Sequence, residues 1–377
     1  MKETKPGSEP KEFFRQKRSA AEVKVEILSK FFPVWAEMAV ATQPSCLYVE
    51  LNAGTGQLEV GKPAAAPKVL RHIFAAPGSR FNLNAAFQTF FADSNKANLA
   101  ALPQVLEELP FYQELENAPL LLKDQESQAS LRAKLSAKTP ALVVADPFGY
   151  RFSQEVLLQT LENGAGDLFL LFEASKLKAS VKSAAAPGAL QNLYGTQLTA
   201  LQTFFERTPQ AQRREDFALK SLESAIRERG YRTLVFKIGA PGKDQPYQYL
   251  LFASPSEILC TKLKEILLEY SEYQEDGVPL MSGGLMPVRL LVPEYAQYLP
   301  FSMYKLTQDL LQKASVYNRM SLEKIYEKHN VETNYCRANY MTVMEKLKEE
   351  GKILLLNPKT AQQVHKLSYS CLIKFKG

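Results

Sequence analysis

The chain has 377 residues, 46% apolar and 23% charged, with 46 Lys and Arg against 40 Asp and Glu for a net charge of +6. That length allows two or three domains and that composition excludes wholesale disorder, while no run approaches the ~18 apolar residues of a membrane span. Four cysteines (46, 260, 336, 371) and three histidines (72, 329, 365) are scattered singly, so neither a metal centre nor a disulfide framework is expected.

Residues 1–20 carry six basic and three acidic groups and predict a flexible basic tail. It has no apolar segment to serve as a secretory signal, and a cytoplasmic protein is the expectation. From Val23 to Met38, apolar residues at helical spacing (Ile27, Leu28, Phe31, Phe32, Trp35) predict a helix, kinked or broken at Pro33. Strands and helices then alternate. Strands are predicted at CLYVEL (46–51), FQTFFAD (87–93), PLLLK (119–123), ALVVADPFGY (141–150) and DLFLLFE (167–173). Helical stretches follow each of them. YRTLVFKIG (231–239) and YQYLLFAS (247–254), joined by a Pro/Gly-rich turn, read as a β-hairpin. Five strand–helix units predict an open parallel α/β sheet, and the hairpin adds an antiparallel strand. This layout fits the seven-stranded Rossmann-like sheet of S-adenosylmethionine-dependent methyltransferases. The predicted sheet domain spans 21–270.

Residues 271–300 hold four of the 22 prolines and a Gly pair and read as a linker. Residues 301–377 carry thirteen basic and seven acidic groups, net +6. Helices are predicted over Met303–Ser315, Ser321–Lys328 and Asn334–Glu350. Ser321 and Thr333 or Asn334 are the expected N-caps, and Gly351 the stop. ILLLN (353–357) and SCLIKF (370–375) complete a winged helix-turn-helix pattern.

The chemistry-bearing residues fall at predicted strand ends, where ligands bind in such sheets. After the first strand, Glu50, Asn52, Ala53, Gly54 and Gly56 form a tight turn open to a ligand. Glu59 stands where a dinucleotide fingerprint would need Gly, which excludes that fingerprint. The carboxylate of Glu50 is expected to face the amino-acid end of S-adenosylmethionine. Asp93 is placed to accept ribose hydroxyls or to cap the next helix, and Asp124 to meet an adenine amine or to lie on the surface. Asp146-Pro147-Phe148-Gly149-Tyr150 follows the fourth strand. Enzymes that methylate exocyclic base amines place an Asp or Asn, prolines and an aromatic there: acceptors hold the amine and a ring stacks on the base. The plain alternative is a strand-ending turn with Phe148 in the core. In the tail, Asn334, Tyr335, Arg337 and Asn339 crowd the start of the third helix, with Lys352 beyond it, and are the nucleic-acid-binding candidates. Tyr340 is expected in the core.

The pieces KVEILSKFFPVWAEMA (24–39), LYVELNAGTG (47–56), FFADSNKANLAAL (90–102), VVADPFGY (143–150) and 321–353 occur in an order that resembles the three-Cys-motif partner proteins. That resemblance implies a methyltransferase-like Rossmann domain, a C-terminal winged helix and a companion protein carrying a cysteine motif. Leu51-Asn52 stands where that family has an aromatic, and 62–67 where it has a Gly-Ser-Pro loop. The function expected is therefore S-adenosylmethionine-dependent methylation of DNA or RNA, with Asp146, Pro147, Phe148 and Tyr150 at the reacting centre. The rivals are a degenerate methyltransferase fold that binds nucleic acid or a partner protein, and a small-molecule methyltransferase with a regulatory winged helix.

Overall fold

A computed structural model of the chain describes residues 19–59, 61–183, 188–239, 247–283 and 299–376. Most of the expected basic tail, 1–18, lies outside them. Two units can be separated, Gln16–Ile266 and a second containing Leu267–Gly377.

In the larger unit, Ser19 starts the helix Ala20–Thr42 with a capping box. Its hydroxyl accepts from the Glu22 amide (3.2 Å) and the Glu22 carboxylate accepts from the Ser19 amide (2.8 Å). The helix continues through Pro33, where a kink or break was expected. Proline removes one amide donor from the helix, yet the turn is held by rings packed on the sheet: Phe31 on Phe169, Phe32 on Tyr48 and Trp35 on Phe87.

The strands are β1 (Cys46–Glu50), a small ribbon of β2 (Gln57–Glu59) with β3 (Lys62–Pro63), β4 (Phe87–Phe91), β5 (Leu120–Leu121), β6 (Ala141–Ala145), β7 (Gly166–Glu173), β8 (Arg232–Ile238) and β9 (Gln248–Ser254). The main sheet has the order β8-β9-β7-β6-β1-β4-β5. Strands β5, β4, β1, β6 and β7 run parallel, and β9 is antiparallel to both neighbours. This is the Rossmann-like methyltransferase arrangement expected from the strand–helix alternation and the terminal hairpin. A two-residue strand, β10 (Ser282–Gly283), brings the sheet to eight strands rather than seven. It is too short to leave an apolar run that sequence reading could detect.

All five residues of β1 and of β6 are buried, as central parallel strands covered on both faces require. The chain passes from β1 outward through β4 to β5, then returns to β6 on the other side. That reversal opens a crevice at the carboxyl ends of β1 and β6.

The second unit is a winged helix. Helices Met303–Gln312, Leu322–His329 and Arg337–Glu349 pack with an antiparallel sheet of β11 (Met320–Ser321), β12 (Ile353–Leu356), β13 (Gln363–Val364) and β14 (Leu372–Phe375), order β11-β14-β12-β13. Ser321 caps the second helix as expected. The third begins later than expected: Cys336 is its N-cap, and the Asn339 side chain accepts from the Cys336 amide (2.9 Å). It ends at Gly351, φ +72, where Lys352 N–H donates to Leu347 and Gly351 N–H to Lys348, a Schellman closure. Residues 276–278 of the expected linker pack on this unit. Val278 is fully buried in its core, Asp276 accepts from the Met303 amide (2.9 Å), and Asn339 donates to the Gly277 carbonyl (2.8 Å). Residues 284–298 lie outside the described residues. No helix among the described residues is long and apolar enough to cross a membrane.

Candidate functional site at the carboxyl edge of the sheet

The turn after β1 is stitched to both neighbouring strands. Leu51 N–H donates to Val144 of β6, and Ala53 N–H to Ala92 just past β4. Gly54 and Gly56 take φ of +65 and +85, the left-handed region that glycine enters without cost. Asp93 ties this turn to the next: one oxygen accepts from the Gly54 amide (2.8 Å), the other from the Asn95 amide (2.8 Å). Asn95, not Asp93, caps the helix Lys96–Glu107.

Asn52 reaches across the crevice. Its carboxamide oxygen accepts from the backbone amide of Asp146 (3.0 Å), joining the turn after β1 to the one after β6. Asp146 is 8% exposed. Its Oδ1 accepts from the Phe148 amide (2.9 Å) and its Oδ2 from Lys176 Nζ (2.6 Å). The Asp146 carbonyl accepts from the Gly149 amide and the Ser153 hydroxyl. Lys176, in the helix Ala174–Ser183 after β7, was not anticipated. Its only sequence signal is a cation three residues past a strand end. Lys24, from the first helix, is a second unanticipated cation. Burial pushes its ammonium down to about 8 against the opposing pull of Asp146 and Glu173.

Pro147 is buried, while Phe148 and Tyr150 are half-buried. Phe148 meets Phe172 edge-on at 5.1 Å. The Tyr150 hydroxyl is enclosed without a hydrogen-bond partner among the described residues. Burial first, and then the charge of Asp93, raises its pKa.

Two expected cofactor contacts sit differently. Glu50 is 6% exposed and its carboxylate accepts from the Tyr48 hydroxyl (2.9 Å), so its side chain is engaged inside the fold. Burial pushes its pKa up to about 7, with a smaller push from Asp93. Asp124 is the exposed N-cap of Gln125–Ser136, in a capping box with Ser127, which accounts for its carboxylate without a ligand.

The winged helix candidates divide. Tyr335 is 1% exposed and donates to the Ser302 carbonyl (3.2 Å); Asn339 is 3% exposed and both ends of its side chain are engaged. Both belong to the core, as Tyr340 does. Arg337 lies over the rings of Tyr326 (4.7 Å) and Tyr369 (5.4 Å) and pairs with Glu323 (3.4 Å). Asn334 is half-exposed; Lys352 is exposed and pairs with Glu350 (2.7 Å).

A family model for the GMT-like wHTH domain matches residues 298–360. No curated protein matches the chain. Among solved structures, it is similar to protein LPL1258 of Legionella pneumophila strain Philadelphia 1, at 9% identity over 67% of this chain and 92% of that one, TM-score 0.37. It is similar to Trm1 from Pyrococcus horikoshii, solved with S-adenosyl-L-methionine, at 13% identity over 94% and 91%, TM-score 0.32. A third is the plantazolicin methyltransferase BamL, at 9% identity over 65% and 90%, TM-score 0.33. Overlaps this loose settle nothing about chemistry.

Proposed function

We propose that the chain is an S-adenosylmethionine-dependent methyltransferase whose acceptor is an exocyclic amine of a nucleic acid base, delivered by the winged helix unit. The hydrogen bond from the Asp146 amide to the Asn52 side chain carries most of this reading. It sets the glycine turn and the Asp-Pro-Phe-Gly-Tyr segment side by side at the switch point of the sheet, where a cofactor and an acceptor would meet.

The residues suit the cofactor on two counts. A Cβ at Gly54 would meet nothing within 4 Å, so the backbone there is open to approach. The unpartnered Tyr150 hydroxyl close to Asp93 offers a polar group that awaits a ligand. Asn52, Ala53, Gly54 and Gly56 would line the cofactor, Asp93 would accept ribose hydroxyls with its remaining lone pairs, and Glu50 would brace the turn from behind. When bound, S-adenosylmethionine supplies an electrophilic methyl group and leaves as a neutral thioether. Asp146 and the Pro147 carbonyl would accept the amine N–H groups and orient the nitrogen lone pair, with Phe148 or Tyr150 against the base. As the N–C bond forms the amine gives up one proton, which the Asp146 carboxylate would accept. Most of the rate gain would come from positioning.

Calorimetry with S-adenosylmethionine and a methyl-transfer assay on DNA and RNA test this. Asp146→Ala is expected to keep cofactor affinity and to lower transfer by about 10²-fold or more. No heat of cofactor binding in the wild type would refute the proposal. The degenerate-module reading is favoured by one observation: both oxygens of Asp146 are already engaged, by Phe148 and Lys176. Nucleic acid binding with cofactor binding but no transfer would select it. The companion protein with a cysteine motif belongs to either reading, and co-purification tests it.

A further inference from the structure

Beyond the Asp-Pro-Phe-Gly-Tyr segment, the carboxyl edge of the sheet carries a row of side chains that the proposed reaction leaves unused. Phe172 of β7, Tyr249 of β9 and Lys237 of β8 stand directly opposite one another across three adjacent strands, so all three share one face. The row begins at the acceptor segment: Phe148 meets Phe172 (5.1 Å), and Phe172 meets Tyr249 (5.6 Å). Half-buried Tyr247 lies edge-on to Tyr249 (5.6 Å), and the Lys237 ammonium stands 3.5 Å from the centre of the Tyr247 ring. Behind the row is Glu215, 1% exposed, from the helix Ala211–Arg227. One of its oxygens accepts from both tyrosine hydroxyls, and the other pairs with Lys178 Nζ at 3.1 Å.

Glu215 is thereby satisfied, and two ammoniums share its single charge. An ammonium has three protons; Lys178 gives one to Glu215, and its side chain is 38% exposed. Among the described residues, half-buried Lys237 lies over the rings of Tyr247 and Tyr249 and has no carboxylate within ion-pairing distance. Burial pushes its ammonium down, against the pull of Glu215 and of the exposed Asp216. Asp216 in turn accepts from Gln212 (2.9 Å). Holding a cation half out of water without an anionic partner is costly, and an arriving anion would relieve that cost.

We infer that Lys237 and Lys178 bind a backbone phosphate of the acceptor strand, on one side of the base held at Asp146. This rests on the methyltransferase reading of that site and adds how its substrate is gripped. Lysine binds phosphate as a point charge, and cations set among aromatic rings are how proteins track single strands. Lys237 stands two strands from Phe172, ~10 Å at ordinary strand spacing. That is the reach of a backbone leaving the acceptor base rather than of the base itself. A phosphate contact carries no sequence information but fixes register, so it would decide which nucleotide arrives at Asp146.

The test uses the full chain and a short fluorescent single-stranded DNA with one central adenine. A single neutral methylphosphonate linkage is walked along the strand, and anisotropy gives the affinity at each position. In the wild type, one linkage on one side of the adenine is expected to cost about tenfold or more, the size of a charge-assisted hydrogen bond. Lys237→Gln should weaken the all-phosphate strand by a similar factor, and the methylphosphonate at that linkage should then cost less than about twofold. Lys178→Gln should reduce the penalty at the same linkage, and Lys237→Arg should preserve it. Affinity for S-adenosylhomocysteine should change by less than about twofold in each variant, which separates phosphate binding from a structural effect. Penalties that are the same in wild type and Lys237→Gln at every linkage overturn the inference. Methyl transfer to the all-phosphate strand then still reports on the methyltransferase reading by itself. Inorganic phosphate that raises the melting temperature of wild type but not of Lys237→Gln, without coupling to any linkage, assigns the site to a free phosphate group and also overturns the strand contact. A chain that neither binds nor methylates the strand removes both readings.

Discussion

Glu50 ends β1 with its carboxyl enclosed beside Tyr48, and the cost of charging it there has a measurable sign. Its pKa is pushed up to about 7, chiefly by burial, and that of Asp167 is pushed up to about 6 by burial against hydrogen bonds from Ser254 and Trp35. A carboxyl whose folded value is raised binds its proton more tightly in the folded state. The stability it contributes is complete below the ordinary carboxylate range and is lost as pH rises through the folded value. For Glu50 the window runs from 4.5 to about 7. Glu50→Gln keeps the size and removes the charge. It is expected to match wild type near pH 4 and to be more stable at pH 8 by roughly 3–4 kcal/mol, given ~1.4 kcal/mol per unit. Urea melts at the two pH values check this, and equal stability of the two proteins at pH 8 would contradict it. Lys176 and the role of Asn52 were illegible in the sequence for a related reason. Each acts through a partner far away in the chain, 30 residues for Lys176 and 94 for Asn52, and no local spacing encodes such a pairing.

The turn after β1 and the end of the third winged helix both rely on a glycine at positive φ, but their surroundings differ. A Cβ on Gly56 would come within 3.0 Å of Leu102 Cδ1 and Val105 Cγ1, whereas one on Gly351 would meet nothing within 4 Å. Gly351→Ala should therefore cost only the left-handed backbone penalty, about 1–2 kcal/mol. Gly56→Ala should cost more, because buried Leu102 and half-buried Val105 must also shift. Thermal melts of the two variants rank them, and the reverse order would mean that the helix Lys96–Glu107 yields freely. The central strands were legible because they are buried on both faces and read as unbroken apolar runs. The start of the third helix was not. Tyr335 and Asn339 are residue types that suit either a polar surface or a satisfied interior. What decides between these is packing against 276–278, a stretch whose proline and glycine neighbours made it read as linker.

For the whole chain, charge is distributed unevenly: 301–377 carry net +6 while 21–300 hold 27 basic and 30 acidic groups. If nucleic acid is held mainly by the winged helix unit, its affinity should fall with salt at a log–log slope of about −3 to −5. Lys352→Ala should flatten that slope by about one if its ammonium meets a phosphate. A slope near zero would remove phosphate contact from the proposal. The bond between Asn52 and Asp146 has a thermodynamic corollary. If the proposed cofactor and acceptor bind at opposite ends of this hydrogen bond, it is a route by which each can bias the other, and any mutual influence must be equal in both directions. Whatever factor S-adenosylhomocysteine contributes to the affinity for an acceptor strand, the strand must return to S-adenosylhomocysteine. Asn52→Ala, which removes the shared acceptor, should bring both factors toward one while each ligand still binds alone.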